Sequence, residues 1–467
     1  MRRLLVLATL AATVGITSTA SAAVYEVTKR GDPAPGACTA NDCSLREAVL
    51  AADASVGVAD RIVLPSRKPY RLAIPGADDG AAMGDLDLTN DRVKIVHPGK
   101  GRATIDADGI DRVFDVYAPA ALKKPSLRGG LADYGGGARA SARLSLTAST
   151  VQGNDALLCG GGIHTQSQAP LTLLGSRVTG NNASSQGGGL SISCFGDGGS
   201  VTIKNSTIAG NRSDFDGSGN GYGGGMYLQT SDGGRSSIRN STIAGNSSGP
   251  GGIGGSSGGG VYTDLGRLTI AGTTISGNRA GDGGGGIYIT GTDPLQVTNS
   301  TITKNRANDN GGGIHLDSGV ASLNAVSVVR NLGNADGVLS EAGGGISTND
   351  LIFRVRNSLI ALNKLGALTP GDPPVKNDCS GSDPFVSQGR NLLSTAFICD
   401  GFDGPGDRVR ANPKLRRLAD NGGATKTVAL KKGSPAIDKA RRSTAPNRDQ
   451  RGIRRDRKPD VGAFERR

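Results

Sequence analysis

Between about residues 150 and 363 the chain repeats one short unit. Each unit has a β-prone run, an asparagine, a glycine-rich bend, and a Gly-Gly-Gly triplet followed by an aliphatic residue. Eight asparagines recur at an average interval of about 30 residues, which is typical of a solenoid whose units stack on one another. These are Asn154, Asn181, Asn211, Asn246, Asn278, Asn305, Asn331 and Asn363, and the triplets begin at Gly160, Gly187, Gly223, Gly258, Gly284, Gly311 and Gly343.

The residues between these landmarks favour strands. Leu268 and Ile270 alternate with polar residues, and Ile287 and Ile289 do the same after the next triplet. A period of two indicates a strand with one buried face, and no stretch here has the period of an amphipathic helix. Strands at the same place in every unit lie parallel to one another. The repeat therefore predicts an all-β solenoid of about a dozen coils.

The recurring asparagine suits a corner for two reasons. Asparagine tolerates the left-handed backbone conformation, and stacked side-chain amides can form a ladder of hydrogen bonds from coil to coil.

Residues 1–22 have the pattern of an export signal. Arg2 and Arg3 precede an apolar stretch at residues 4–16, and Ala20-Ser21-Ala22 supplies a small-residue cleavage site. The apolar stretch is too short to span a bilayer. We therefore expect an exported protein without a transmembrane span, located outside the cell, in a periplasm or peripherally on the cell surface.

Six cysteines in an exported chain predict disulfides. Cys38 and Cys43 are close enough in sequence to close a small loop, and Cys379 and Cys399 bracket an insertion. Cys159 and Cys194 are left for each other. Equivalent strands on neighbouring coils would hold them a strand length apart, so this bridge requires the loop at 194–200 to fold back.

Over residues 145–365, the alternation of Asn with Gly-Gly-Gly-aliphatic resembles the repeats of polymorphic outer-membrane proteins. The whole pattern resembles a right-handed parallel β-helix with the pectin-lyase-like fold. The resemblance implies the right-handed winding, whereas the spacing indicates only the stacking.

The open sheet edges at the two ends of such a solenoid need covers. Ser44 and Glu47 have the spacing of a helix capping box, and the string from Cys43 to Ala48 spells the motif of the CSLREA domain of exported β-helical proteins. We therefore expect an N-terminal capping helix.

The C-terminal segment resembles the choice-of-anchor Q module, which in its family precedes varied surface anchors. No anchoring signal follows Glu465, so we expect release or non-covalent attachment. The matching segments are Asn412-Pro413, residues 418–423, Gly433–Asp438, Asp449–Gly452 and Asp460–Glu465. The predicted organisation is an export signal at 1–22, a cap with irregular first coils at 23–145, β-helix repeats at 146–400 and a basic C-terminal cap at 401–467.

The positive charge of the chain is concentrated at its C-terminus. Residues 411–467 contain 17 Lys or Arg and 6 Asp or Glu, a net charge of +11, while the whole chain carries +12. A basic segment of this kind favours weak attraction to anionic surfaces. Nucleic acid is a poor candidate, because the chain carries an export signal and no recognised nucleic-acid-binding motif.

Basic residues also recur within the repeat. Arginine follows the corner asparagine at Arg212, Arg279 and Arg306, and a basic residue precedes Asn-Ser at Lys204 and Arg239. Columns of like charge on adjacent strands are unfavourable, so an anionic ligand could offset them. We predict that they bind an acidic polysaccharide, a lipopolysaccharide or a cell-wall polymer. The alternative is that they only cover apolar surface and discourage pairing of edges.

Candidates for catalysis or metal binding are few. Asp214, Asp216 and Asn220 alternate in a glycine-containing loop, which suits a hard cation such as calcium. His164 and His315 share an outward position after the triplet, where we expect solvated side chains and no catalytic pair. The sequence shows no recognisable constellation of catalytic carboxylates.

The function that the sequence favours is an exported, monomeric binding, adhesion or structural protein that interacts with anionic surface polymers. The alternative is a polysaccharide lyase or hydrolase, because the same fold also hosts such enzymes and fold does not decide function. The resemblance implies that a uronate lyase would hold calcium with acidic residues beside an Arg or Lys base.

Overall fold

The computed structural model describes residues 21–90, 92–231, 233–249, 255–264, 266–337, 343–349, 352–367, 372–395 and 398–467. Over these residues the chain winds into a parallel β-solenoid with four long sheets, and each regular coil passes through the first, second, third and fourth sheet in turn. The all-β prediction is confirmed. Residues 1–20, which hold most of the predicted export signal, lie outside the described residues.

The first sheet has thirteen strands among the described residues. Its inward side chains stack from coil to coil, as Ile238, Ile270 and Val297 do in register, and they form the core. The strands are Val24–Glu26, Arg61–Val63, Lys94–Val96, Ala120–Lys123, Leu144–Thr147, Leu171–Leu174, Val201–Lys204, Arg235–Arg239, Arg267–Ala271, Pro294–Thr298, Val320–Asn324, Ile352–Arg356 and Val386–Ser387.

The second sheet follows after a tight corner, and twelve of its strands are described. They are Tyr70–Arg71, Ala103–Asp106, Pro125–Arg128, Thr150–Gln152, Arg177–Thr179, Thr207–Ala209, Thr242–Ala244, Thr274–Ser276, Thr301–Thr303, Ser327–Val329, Leu359–Ala361 and Leu392–Leu393.

The third sheet is built from shorter strands, ten of them described, and only its last pair is antiparallel. They are Leu131–Tyr134, Asp155–Cys159, Asn182–Ala183, Arg212–Ser213, Ser247–Ser248, Arg279–Ala280, Arg306–Ala307, Leu332–Gly333, Lys364–Leu365 and Val375–Lys376.

The fourth sheet follows the glycine triplets and has eleven strands over the described ranges. They are Leu86–Leu88, Phe114–Val116, Ala138–Ala140, Ile163–Thr165, Leu190–Ile192, Met226–Leu228, Val261–Thr263, Ile287–Ile289, Ile314–Leu316, Ile346–Thr348 and Cys379–Gly381. A separate hairpin pairs Leu415–Ala419 with Thr427–Leu430.

The predicted amide ladder is confirmed, and it runs through the buried corners between the second and third sheets. In one rung, Asn246 Nδ2 donates to Asn278 Oδ1 at 2.9 Å and to the carbonyl oxygen of Ile208 at 3.1 Å. Its Oδ1 accepts hydrogen bonds from the backbone and side-chain nitrogens of Asn211 at 3.0 Å. The same pattern links all eight asparagines and ends on Asp378, whose Oδ1 accepts from Asn363.

One expected reason for the corner asparagines is wrong. The ladder asparagines do not have a left-handed backbone; the residue before each of them does, as at Gly277 with φ of 66° and Lys304 with φ of 58°. Their side chains alone explain their recurrence, because each amide satisfies buried backbone groups of the preceding coil and bonds the asparagine of the next coil. Left-handed asparagines occur at the preceding corner instead, at Asn205 and Asn240 for example.

Each position of the glycine triplet has its own steric cause. Gly284 has φ of 66°, which favours glycine. A Cβ atom on Gly285 would lie 2.5 Å from the backbone of Arg306 in the next coil, and one on Gly286 would lie 2.4 Å from the carbonyl oxygen of Gly313. Side chains would therefore push the coils apart at this corner.

The N-terminal end is covered by the α-helix Leu45–Asp53. Ser44 Oγ accepts from Glu47 N at 3.2 Å, and Glu47 Oε2 accepts from Ser44 N at 2.6 Å, which together form a capping box. No helix in the described part of the chain is both long enough and apolar enough to cross a membrane.

All six cysteines are paired in disulfides, Cys38–Cys43, Cys159–Cys194 and Cys379–Cys399. The pair that the sequence left open, Cys159 and Cys194, has its Cα atoms 6.5 Å apart.

The C-terminal segment lies mostly along the flank of the solenoid, not across its end. The end is covered by Phe385 and Phe402, which pack against Phe353 of the last coils. Residues 411–467, here called the C-terminal module, pack on the outward face of the second sheet, where Gln450 Nε2 donates to Thr274 Oγ1 at 2.9 Å. The reason is that the last coils have apolar outward residues on this sheet, Val329, Leu359, Ala361 and Leu392, which the module buries.

We predict that Asn246→Ala destabilises the fold by roughly 2–5 kcal/mol, because it leaves buried donors on Asn211 without acceptors. Urea unfolding followed by circular dichroism measures this change. The control is Gln296→Ala at an exposed strand position, which should change the free energy of unfolding by less than about 0.5 kcal/mol. Equal stability of the two variants would contradict the structural importance of the ladder.

Candidate functional site: a groove on the fourth sheet

The outward side chains at the centre of the fourth-sheet strands form one continuous file, because the strands are in register. We call it the fourth-sheet file, and by the spacing of parallel strands it is roughly 50 Å long. Its members are Asp87, Asp115, Arg139, His164, Ser191, Tyr227, Tyr262, Tyr288, His315, Ser347 and Ser380. The file begins with charged residues of both signs in the first coils and continues with aromatic residues in the middle coils.

Three carboxyl groups meet at the N-terminal end of the file. Oxygen atoms of Asp85, Asp87 and Asp115 lie within 4.8 Å of one another, and all three residues are buried. Arg112 Nη1 lies 3.0 Å from Asp85 Oδ2 and 2.8 Å from Asp115 Oδ2, and Arg139 Nη2 lies 2.5 Å from the same Asp115 oxygen. We call the three aspartates the carboxylate cluster.

Two members of the cluster, Asp85 and Asp87, have raised pKa values. Burial raises the pKa of Asp85 to about 8, and this effect exceeds the opposing attraction of Arg112. Burial also raises the pKa of Asp87 to about 7, and the neighbouring carboxylate of Asp115 adds to the rise. Groups with such pKa values can donate or accept a proton near pH 7.

The residues of the cluster also suit a hard cation. Carboxylate oxygens are the ligands that calcium prefers, and Asp115 Oδ1 is buried without a hydrogen-bond partner. Asp85, Asp87 and Asp115 would hold such an ion. Bound there, it would displace the protons of Asp85 and Asp87 and offset the charge of the carboxylates so formed.

A cavity of about 530 Å³ opens beside the cluster. Two arginines, Arg112 and Arg139, face five carboxyl groups across it, so its net charge is negative. Tyr117 connects the two sides, because its hydroxyl donates to Asp79 at 2.8 Å and accepts from Arg139 at 3.0 Å. The acidic residues that line the cavity are Asp78, Asp79, Asp85, Asp111 and Asp133.

The N-terminal helix holds this end of the groove in place through Arg46, which is fully buried. Its guanidinium binds both oxygens of Asp32 at 2.8 Å and donates to the carbonyl oxygens of Ala81, Gly84 and Asp85. The arginine therefore links the helix to the segment that carries the cluster.

The middle of the file is a column of stacked rings. The ring centroid of Tyr262 lies 5.2 Å from the ring centroid of Tyr227 and 5.1 Å from that of Tyr288, and the interplanar angles are 17° and 6°. His315 follows 5.0 Å from Tyr288. Because the rings face one another along the solenoid axis, the groove presents their edges and phenolic oxygens.

Acidic residues flank this aromatic column. Burial raises the pKa values of the Tyr262 and Tyr288 phenols, and the charges of Asp264 and Asp317 raise them further. Burial raises the pKa of Asp309 to about 7, with a further rise from Asp282. The phenols therefore remain neutral hydrogen-bond donors in an acidic groove.

The expectation that His164 and His315 are solvated is wrong, since both are buried. Tyr288, the in-register neighbour of His315, covers its ring, and Tyr134 of the third sheet packs 5.3 Å from His164. Burial lowers the pKa of His164 to about 4, with a further contribution from Arg139, so this imidazole is neutral at physiological pH.

The predicted basic residues lie on two other sheets. Arg212, Arg279 and Arg306 are in one file of the third sheet, with Ser247 between the first two. Lys204 and Arg239 are neighbours on the first sheet. The structure thus separates the five residues into two surfaces, and ligand binding by either remains a prediction.

Hydrogen bonds within the predicted calcium loop account for its conformation. Asp214 is buried, and its Oδ1 accepts from Gly219 N at 2.8 Å and from Ser218 Oγ at 3.4 Å. Asp216 Oδ1 accepts from Ser218 N at 3.1 Å, while Asn220 is exposed. Calcium binding at Asp214, Asp216 and Asn220 remains a prediction.

The comparison with protein-family models agrees with the architecture. Residues 135–352 match the family model described as a right handed beta helix region. Among solved structures, the chain is similar to the crystal structure of pectate lyase Pel9A, at 15% sequence identity and a TM-score of 0.47, with 97% of this chain and 98% of that chain covered. Among curated proteins, none matches the chain. The protein is a right-handed parallel β-helix.

We predict that the protein loses stability as the pH rises from about 7 to about 9. The folded state raises the pKa of the Asp85 and Asp87 carboxyls, so it binds more protons than the unfolded chain in this range, and the free energy of unfolding falls with pH. We expect a fall of roughly 1–2 kcal/mol, measured by urea unfolding at both pH values.

Asp85→Asn should remove about half of this fall or more, because asparagine does not titrate. Asp155→Asn, at an exposed position on the third sheet, is the matched control and should keep the whole fall. Calcium gives a second readout, since it should raise the wild-type melting temperature at about pH 9 but not that of Asp87→Asn. If Asp85→Asn and Asp155→Asn show the same fall in the free energy of unfolding between the two pH values, Asp85 is not the group that causes the fall.

Proposed function

We propose that the protein is an exported binding protein of the cell envelope or the extracellular space. We further propose that it holds a polysaccharide chain lengthwise in the groove of the fourth sheet. The observation that carries the proposal is the fourth-sheet file, which repeats similar hydrogen-bonding groups at the spacing of the coils. The three disulfides and the predicted export signal support the location. The CSLREA and choice-of-anchor Q assignments and the monomeric state belong to the same proposal.

Phenolic hydroxyls recur along the groove at the spacing of the coils, and such a regular series of groups suits a polymer of repeating units. Tyr262 and Tyr288 are only partly buried, and in the described part of the chain their hydroxyls have no hydrogen-bond partner within the protein. A chain of sugar units parallel to the solenoid axis would meet one phenolic hydroxyl after another. Tyrosine suits such a site, because it offers an apolar ring edge next to a polar tip.

The charge of the groove indicates which polysaccharide it favours. Carboxyl groups line both the cavity and the aromatic column, so a polyanion would be repelled in the absence of a cation. We therefore propose a neutral or amino-sugar polysaccharide as the groove ligand. The anionic surface polymers that the sequence suggests would have to bind elsewhere on the molecule.

We predict that the double variant Tyr262→Phe and Tyr288→Phe weakens polysaccharide binding about tenfold, since each lost hydrogen bond costs about 0.5–1.5 kcal/mol. A panel of neutral, amino-sugar and uronate polysaccharides identifies the ligand, and isothermal titration calorimetry measures its affinity. The control is Tyr25→Phe, which removes a hydroxyl bonded to the carbonyl oxygen of Ala51, away from the groove. Wild-type affinity in the double variant would exclude the tyrosine column as the binding element.

Polysaccharide cleavage is a second candidate function, favoured by the carboxylate cluster. Asp85 keeps its proton near neutral pH, so it can act as a general acid, while Arg112 and Arg139 hold the carboxylate of Asp115 in place. If calcium binds there, it would supply positive charge for a uronate carboxylate. The groove would then position the polymer across the cluster.

If the cluster cleaves glycans, Asp85→Asn and Asp115→Asn should each lower turnover about 100-fold or more. Unsaturated-product absorbance and new reducing ends measure cleavage on polygalacturonate, alginate, glycosaminoglycans and neutral glycans, with and without calcium. The Asp155→Asn variant is again the control. Absence of turnover by the wild-type protein on this panel would reject cleavage and leave the binding proposal standing.

A further inference from the structure

The C-terminal module carries a group of arginines that its own fold does not neutralise. Arg442, Arg454, Arg457 and Arg467 line a cavity of about 370 Å³, together with Arg455 and one acidic residue, Asp456. We call the first four residues the arginine cleft. The cleft differs from the basic files of the β-helix, because its side chains converge on a single cavity.

The pairing of charges within the module separates structural arginines from the cleft. Arg455 is buried and lies 3.2 Å from Glu465, and Arg451 lies 2.7 Å from Asp449. Over the described residues, none of the four cleft arginines has a carboxylate within salt-bridge distance. Four guanidiniums therefore face one carboxyl group, that of Asp456, which accepts a hydrogen bond from Lys458 N.

The frame that carries the cleft is rigid. The guanidinium of Arg455 donates to the carbonyl oxygens of Asp460 and Gly462, and its backbone nitrogen donates to the carbonyl oxygen of Asn447. Neutral acceptors orient two of the cleft residues, since Arg442 Nη1 donates to Asn447 Oδ1 at 3.2 Å and Arg467 Nη2 to the carbonyl oxygen of Arg454 at 3.1 Å. These single bonds leave most guanidinium N–H groups free to bind a ligand.

We propose that the arginine cleft binds the phosphate groups of an anionic cell-envelope polymer and so attaches the protein to that polymer. Guanidinium forks match the oxygens of a phosphate group, and charge-assisted hydrogen bonds of this kind are strong. An anion in the cleft would also relieve the mutual repulsion of the arginines.

The cleft and the groove serve different ligands. The module packs on the second sheet, whereas the groove lies on the fourth. These two sheets are not adjacent, because the third sheet separates them on one side of the coil and the first sheet on the other. The two surfaces also have opposite charge. Binding at the cleft is therefore independent of the polysaccharide proposed for the groove.

The test uses inorganic polyphosphate as the probe, with polygalacturonate as the carboxylate polymer for comparison. The double variant Arg454→Gln and Arg457→Gln should weaken polyphosphate binding about tenfold or more, because both side chains are exposed and line the cavity. Fluorescence anisotropy on the full chain measures the dissociation constants, and thermal unfolding confirms that the variant is folded.

The matched control is Arg235→Gln and Arg267→Gln, which removes the same charge from two exposed, in-register arginines of the first sheet that lie outside the predicted ligand-binding residues. We expect less than a twofold change for this control, and tighter wild-type binding to polyphosphate than to polygalacturonate. The proposal is overturned if both double variants lose affinity equally, since net charge alone would then explain binding. It is also overturned if polygalacturonate binds as tightly as polyphosphate, or if the cleft variant binds like the wild type.

Discussion

The amide ladder is the interaction on which the rest of this structure depends. Each buried asparagine uses both of its N–H groups and its oxygen, so one side chain satisfies two backbone groups of the preceding coil and also bonds the asparagine side chain of the next coil. This geometry works only when successive coils stand at the same height and in the same register. From Asn154 onward, the ladder therefore explains why the four sheets stay aligned while loop lengths between the coils vary.

Alignment of the coils has a direct consequence for function. Any residue that keeps its place in the repeat becomes one member of a column on the surface, and a change of residue type along the chain becomes a change of chemistry along the column. The fourth-sheet file shows this, because aspartates at Asp87 and Asp115 give way to stacked rings from Tyr227 onward. A groove whose side chains change in type along its length can therefore form without long loops. It requires substitutions at one position per coil.

The architecture could be predicted from the sequence because its causes are local. The ladder asparagines and the glycine triplets recur at fixed places, and each is required at its own corner by hydrogen bonding or by close backbone contact. The signal for the groove was also present, since Asp87 and Asp115 stand between two apolar residues just as His315 does. It was missed because the first coils lack the asparagine and glycine landmarks that would have aligned them with the later repeats.

Other features depend on contacts that no local pattern records. Asp85 joins the carboxylate cluster because Arg46, 39 residues earlier, holds the backbone before its strand. The module reaches the second sheet through bonds such as that between Thr301 and Gln450, which are 149 residues apart. The sequence predicts that the C-terminal segment caps the end of the solenoid, because open sheet edges need cover. The outward side chains of Val329, Leu359 and Ala361 form an apolar surface on the second sheet that also needs cover, and the module buries it.

The flank position of the module also determines how charge is distributed over the molecule. A basic segment across the C-terminal end of the solenoid would have placed its arginines closer to the aspartates that flank the aromatic column, Asp309 and Asp317. On the second sheet the module lies away from the fourth, so the negative groove and the arginine cleft both remain accessible. An anionic polymer attracted to the arginine cleft is repelled by the acidic groove. This separation allows one molecule to hold a polysaccharide on one face while an anionic envelope polymer holds the opposite face.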